Sequence, residues 1–212
     1  MISTKDFSLL PNKQNFQNLC KSISVLDAII CPQWAFRFYS YNCKWGEGEE
    51  FFEMRNEDDG DLMNILFLKD RCVINGFSYQ YQNNKKSEVT KNLPEIYNEF
   101  IFGEPVTSNG TSFCLWTNEN GNWEVGNILN YNDNSSEIFE IFDGNPQTYI
   151  DWASEYYEGY YKETGIPIEI VTQIYEGKPI TKEMALSIAE EVRDWKLLED
   201  DLKEINYPYN FS

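Results

Sequence analysis

Residues 50–81, EFFEMRNEDDGDLMNILFLKDRCVINGFSYQY, decide how the rest of the chain is read. Residues 50–56, 62–68 and 72–81 are short runs rich in aromatic and aliphatic residues, the pattern of strands. Between them lie Glu57-Asp58-Asp59-Gly60 and Lys69-Asp70-Arg71, which are tight-turn sequences. Just upstream, residues 35–43 alternate aromatics at Phe36, Phe38, Tyr39 and Tyr41 and read as a further strand. Links this short can join only antiparallel neighbours, because a parallel pair needs a crossover of a dozen or more residues. An antiparallel β-meander is therefore expected over residues 35–81.

Helical periods flank this sheet. Residues 12–30 place Phe16, Leu19, Cys20, Ile23, Leu26, Ile29 and Ile30 on one stripe, ended by Pro32. After a polar break at 82–91, residues 93–102 read as a short helix opened by Pro94. Residues 112–117 and 123–129 flank an Asn-Gly step and predict a second hairpin, and 137–142 alternates as one more strand. From Asn145-Pro146 the period turns helical again. Tyr149, Trp152, Ala153, Tyr156, Tyr157 and Tyr160 share one stripe of a helix expected to end near Gly165. Pro167 and Gly177 favour a helix over 167–175, and residues 181–205 read as one long final helix. Helix, strands, then helices argue for an α+β fold. A single domain over 1–212 is expected, with a sub-division into a sheet-rich part (1–142) and a helical part (143–212).

The 212 residues carry 35 Asp and Glu against 17 Lys and Arg, a formal charge of −18. Phosphate binding needs a cationic surface, so neither nucleic acid nor an anionic membrane is an expected partner. The chain has no histidine, which removes Ser-His and Cys-His nucleophiles and His-ligated zinc. No metal or cofactor site is read. Five cysteines, odd in number and with no C-x-x-C pair, read as free thiols. Met1 to Leu10 lacks a basic start followed by an apolar core, and no apolar run approaches the length of a membrane span. A cytoplasmic location is the expectation.

Three features invite a chemical reading. The acids Glu47, Glu49, Glu50, Glu53, Glu57, Asp58, Asp59 and Asp61 are dense, but Gly60 at the sixth position of a calcium loop would put Arg55 first and Leu66 last. A pair of them could act as acid and base in a carboxylate-dependent hydrolase, though a solvated turn or a partner-binding acidic edge is the favoured reading of them. Cys31 to Arg37, CPQWAFR, has the C-x5-R spelling of a thiol phosphatase loop. Pro32 removes one of the amides that would cradle phosphate, and Trp34 and Phe36 are bulky where backbone must approach, so Cys31 reads as a helix-end core residue. The third feature is the aromatic helix, whose Trp152 and Tyr157 lie among Asp151, Glu155, Glu158 and Glu163. Tyrosine and tryptophan in a negative field suit a surface that anchors a basic protein. Residues 131–204 hold 18 acids and 6 bases, making this the more acidic region.

Leu93-Pro94-x-x-Tyr97-x-x-Phe100, followed by Asn109-Gly110, resembles the L-P-x-x-Y-x-x-F…N-G signature of the SUKH superfamily. That resemblance implies an α+β fold and the role of a bacterial immunity protein, which neutralises a toxin by binding it. The leading expectation is thus a non-catalytic binding protein, an immunity-type inhibitor of a basic toxin or other cationic protein. Its expected contact residues are Asp151, Trp152, Glu155, Tyr157, Glu158 and Glu163. The alternatives are the hydrolase, with the acids of 47–61 at a cleft, and a structural or adaptor protein.

Overall fold

A computed structural model describes residues 1–56, 58–128 and 131–212. In chain order it contains α1 (Lys13–Ile30), β1 (Tyr39–Gly46), β2 (Glu49–Asn56), β3 (Asp61–Phe67), β4 (Cys72–Phe77), α2 (Lys86–Val89), α3 (Asn98–Phe102), α4 (Val106–Asn109), β5 (Phe113–Thr117) and β6 (Trp123–Val125). There follow α5 (Ser135–Ile138), α6 (Pro146–Tyr156), α7 (Ile168–Tyr175), β7 (Ile180–Thr181), α8 (Lys182–Ile188), α9 (Trp195–Ile205) and β8 (Tyr209–Asn210). The fold is α+β. The chain divides into two compact units, residues 1–16 with 44–143 and residues 17–43 with 144–212. No helix among the described residues is long and apolar enough to cross a membrane.

The chain has a six-stranded sheet in the order β1-β2-β3-β4-β5-β6, of which the first unit holds β2 to β6. Its ladders from β2 to β6 are antiparallel, with Phe52 opposite Ile65, Ile65 opposite Ile74 and Ile74 opposite Leu115. Strand alternation sends Phe52, Met54, Met63, Ile65, Phe67, Ile74, Phe113 and Leu115 to one face, all buried. Phe16, Phe139 and Phe142 pack there, Phe16 meeting Phe67 and Phe142 edge-on or tilted, and Phe113 meeting Phe139. Gly76 is required on this face, because a Cβ there would overlap the ring of its cross-strand partner Phe113. The opposite face carries Phe51, Leu66, Val73, Cys114 and Trp116, covered by Tyr97, Phe100, Ile101 and Val106. Both faces being buried, the strands read as near-continuous apolar runs.

In the second unit the buried residues of α1 recur at helical spacing: Cys20, Ile23, Leu26, Ile29 and Ile30. Helix α6 opens where Asn145 Oδ1 accepts from the Gln147 amide, with Pro146 in the first turn. Helix α7 settles the ambiguous stretch 167–175 as helix.

Several expected elements differ. Residues 137–142 are not a strand but α5 followed by a 3-10 turn, Glu140–Asp143. Their buried residues are Ile138, Phe139, Ile141 and Phe142, a helical spacing that the local alternation concealed, and Ser135 N bonds Asp133 Oδ1 where the turn begins. Helix α6 stops at Tyr156 rather than near Gly165, since Gly159 takes a positive φ of 82°. The single helix expected over 181–205 is two: Ala189 is extended, and Asp194 Oδ1 accepts from the amides of Lys196 and Leu197 to start α9 afresh. Residues 34–36 form a 3-10 turn, so β1 begins only at Tyr39. The hairpin strand expected to reach Leu129 ends at Val125; Leu129, like Glu57 of the first turn, lies outside the described residues.

Candidate functional site

The second unit carries its chemistry around one buried carboxylate. Asp27, on α1, has no solvent exposure. Its Oδ2 accepts from the Tyr39 amide at 2.8 Å and the Tyr157 hydroxyl at 2.7 Å, and its Oδ1 from the Tyr149 hydroxyl at 2.8 Å. Burial pushes its carboxyl up to about 6, against the opposing pull of those three donors and the charge of Arg37. Both tyrosine hydroxyls are held far above their usual range, by burial first and by the Asp27 charge second, and so remain donors. Asp27 thereby fixes the inner face of α6 to α1.

On that base stands a group of rings. Trp152 stacks on Tyr156 at 5.3 Å and meets Phe38, Tyr39, Tyr149 and Tyr157. Tyr156 is at the exposed edge of the group. Tyr157, expected at the surface as an anchor, is instead only 3% exposed. It falls on the α1 side of the helix, where its hydroxyl also accepts from the Phe38 amide. Tyr160, in the loop after α6, is the exposed one at 67%. Asp151 and Glu155, four apart, and Glu158 beyond the helix end are all exposed. Glu163 is exposed too, its amide in the α6–α7 loop donating to Glu190 Oε1 in the link between α8 and α9.

The C-x5-R segment has a structural use. Arg37 is buried, its Nε donating to Cys31 O at 2.7 Å and Nη2 to Pro32 O at 2.9 Å, just beyond the last turn of α1. Nη1 and Nη2 also grip both oxygens of Asp201 on α9 at 3.0 and 2.6 Å. A guanidinium so engaged does not serve as an oxyanion clamp. The turn that carries the segment exposes Trp34 at 53% and Phe36 at 65%. Sequence reading missed both as surface aromatics, because alternation assigned Phe36 to a strand and Trp34 was weighed only as bulk in the C-x5-R segment.

In the first unit the acidic cluster is dispersed. Glu47, Glu49 and Glu50 lie at one end of β2 and Asp58 and Asp59 just past the other, about 23 Å apart for a strand of this length. Glu47, Asp58 and Asp59 are exposed, while Asp61 is buried and holds the Tyr79 amide and the Asn134 side chain. Glu53 stands mid-strand opposite Asn64, its carboxyl raised by burial and drawn back by Arg55 and Asn64. Among the described residues no three such acids or cysteines are placed to hold a metal.

Comparison of the chain with protein-family models, curated proteins and solved structures finds no match.

The motif residues Tyr97 and Phe100 belong to the core of the first unit, Tyr97 donating its hydroxyl to Thr117 O at 2.8 Å. Asn109 donates to Asn64 Oδ1 and Asn75 to Gly110 O, so the Asn-Gly step pins a polar row across β3 and β4. Charge follows the units differently from the linear chain. Four acids of the acidic stretch, Asp133, Glu137, Glu140 and Asp143, fall in the sheet unit, which holds 20 acids to 9 bases; the helical unit holds 15 to 8. The helical unit is thus less acidic in total, and its distinction is the placement of acids beside exposed rings.

Proposed function

We propose that this chain is a non-catalytic cytoplasmic binding protein, an immunity-type inhibitor that engages a basic protein through the outer side of α6 and the loop after it. The observation that carries this reading is the row Asp151, Glu155 and Glu158, exposed beside the ring edge of Tyr156 and the exposed Tyr160. Such a surface pairs long-range attraction with rigid aromatic contact area, which costs little conformational entropy on binding. The rings are held by Trp152 and, through Tyr149 and Tyr157, by Asp27, so the face is organised before a partner arrives. The SUKH-like motif adds support for the immunity role. The paired acids that a hydrolase would require are spread along β2.

The test is capture from lysate of the native host at low salt, with D151N/E155Q/E158Q run beside the natural chain. A basic protein held by the natural chain, released by a salt step and lost from the variant is the expected result. With that partner in hand, the variant should slow association more than it hastens dissociation. No captured protein, or the same protein held equally by the variant, overturns the reading.

A further inference from the structure

Helix α9 places Asp201, Glu204 and Ile205 at i, i+3 and i+4, on the side that faces the segment 34–41. The residues enclose a small recess within the second unit, lined also by Ser24, Trp34, Arg37, Ser40 and Tyr41. Three features of its lining point to one kind of occupant. Asp201 is committed to Arg37, so these two charges cancel. Glu204 has no ion pair or hydrogen bond among the described residues, leaving the recess with one net negative charge. Ser40 is 8% exposed and lines the recess, yet its hydroxyl has no hydrogen-bond partner among the described residues. With no protein partner, that hydroxyl is open to accept from a group seated beside it.

We propose that this recess seats the ammonium group of a lysine side chain from the basic partner, with Glu204 as counter-ion, Ser40 Oγ as acceptor and the Trp34 indole as one wall. The proposal rests on the reading of the chain as a binder of a basic protein and adds the side chain recognised. The chemistry fits an ammonium closely. It brings donors only, which suits a carboxylate and a hydroxyl, and an indole face attracts a cation. The recess has room for one group the size of a water or ammonium, and a planar guanidinium is larger. Burial and the neighbouring Asp201 charge both hold the Glu204 carboxyl above its ordinary range, opposed by Arg37; a cation in the recess would relieve this. The lysine stem would lie along Trp34, whose exposed half extends the recess toward solvent.

The test needs no partner. The probe is Nα-acetyl-lysine amide, titrated into the labelled natural chain while the Trp34 indole and Ser40 amide signals are followed by NMR. Saturable shifts at both are expected, with Nα-acetyl-norleucine amide giving none and the arginine analogue binding more weakly. E204Q, at an exposed position with no bonds to lose, should keep the fold and weaken the lysine probe about tenfold, as for one charge-assisted hydrogen bond. W34A should weaken it several-fold through loss of the wall. No saturable shift, equal binding of the norleucine or arginine probe, or unchanged affinity in E204Q overturns the proposal. Each of these outcomes leaves the capture experiment on α6 to be judged separately.

Discussion

The substitution Asp27→Asn should change how the stability of the protein depends on pH. The carboxyl rises from 3.8 in the unfolded chain to about 6 in the fold because burial outweighs its three hydrogen bonds. A rise of about two units corresponds to about 3 kcal/mol between the two protonation states. The folded value lies above the unfolded one, so folding favours the protonated acid. The contribution is fully present below pH 3.8 and is lost as the pH climbs to about 6. The amide that D27N introduces cannot titrate. It can still accept from Tyr39 and Tyr157 while donating to the Tyr149 oxygen, so the variant should fold. Urea unfolding of both proteins, at intervals from about pH 3 to about pH 7.5, gives the difference in stability directly. The natural protein should lose about 3 kcal/mol relative to D27N across this window, with a flat difference on either side. Other titrating groups are common to both and cancel. A difference constant across the window, or one that grows in favour of the natural protein as pH rises, would refute the reasoning.

Further outcomes follow from other contacts. Arg37→Met removes the partner of a carboxylate that is 12% exposed and frees the Cys31 and Pro32 carbonyls; a loss of about 3 kcal/mol in urea unfolding is expected. Tyr97→Phe deletes only the hydroxyl on Thr117 O and should cost about 1 kcal/mol, leaving partner capture unchanged because the motif residue is core. Gly76→Ala drives a methyl into the Phe113 ring and should destabilise by about 2 kcal/mol or more. Adding Phe113→Leu should recover part of that loss, so thermal melts of the double variant should be less than additive.

The meander was legible because two local signals agree there. Turn residues such as Asp59-Gly60 and Lys69-Asp70 set the links, and Gly60 takes the positive φ of 73° that its turn demands. The apolar runs between them pair in the expected antiparallel sense. Helices α1 and α6 were legible from period and from their breakers or caps, Pro32, Asn145 and Pro146. Residues 137–142 were misread because four buried positions in six satisfy a period of two almost as well as one of three to four. Residues 181–205 were misread because the apolar spacing continues through the break, while the choice of Asp194 to cap a new helix is made by a side chain.

The candidate face shows the same division. Acid at 151, 155 and 158 and the aromatic content of α6 were open to inspection, because composition and helical spacing are local properties. Which ring would be buried was not. Tyr157 is drawn inward by Asp27, 130 positions earlier, and by the Phe38 amide, and Trp34 and Phe36 are pushed outward when Arg37 turns in to meet Asp201, 164 positions later. The chain alone thus determined an acidic, histidine-free α+β protein with a meander and flanking amphipathic helices, since propensity, period and turn chemistry act over a few residues. Tertiary structure alone decided which carboxylate is desolvated, which arginine is spent on the scaffold and which serine and glutamate are left facing a recess. Those outcomes depend on partners far away in sequence, and no local period encodes them.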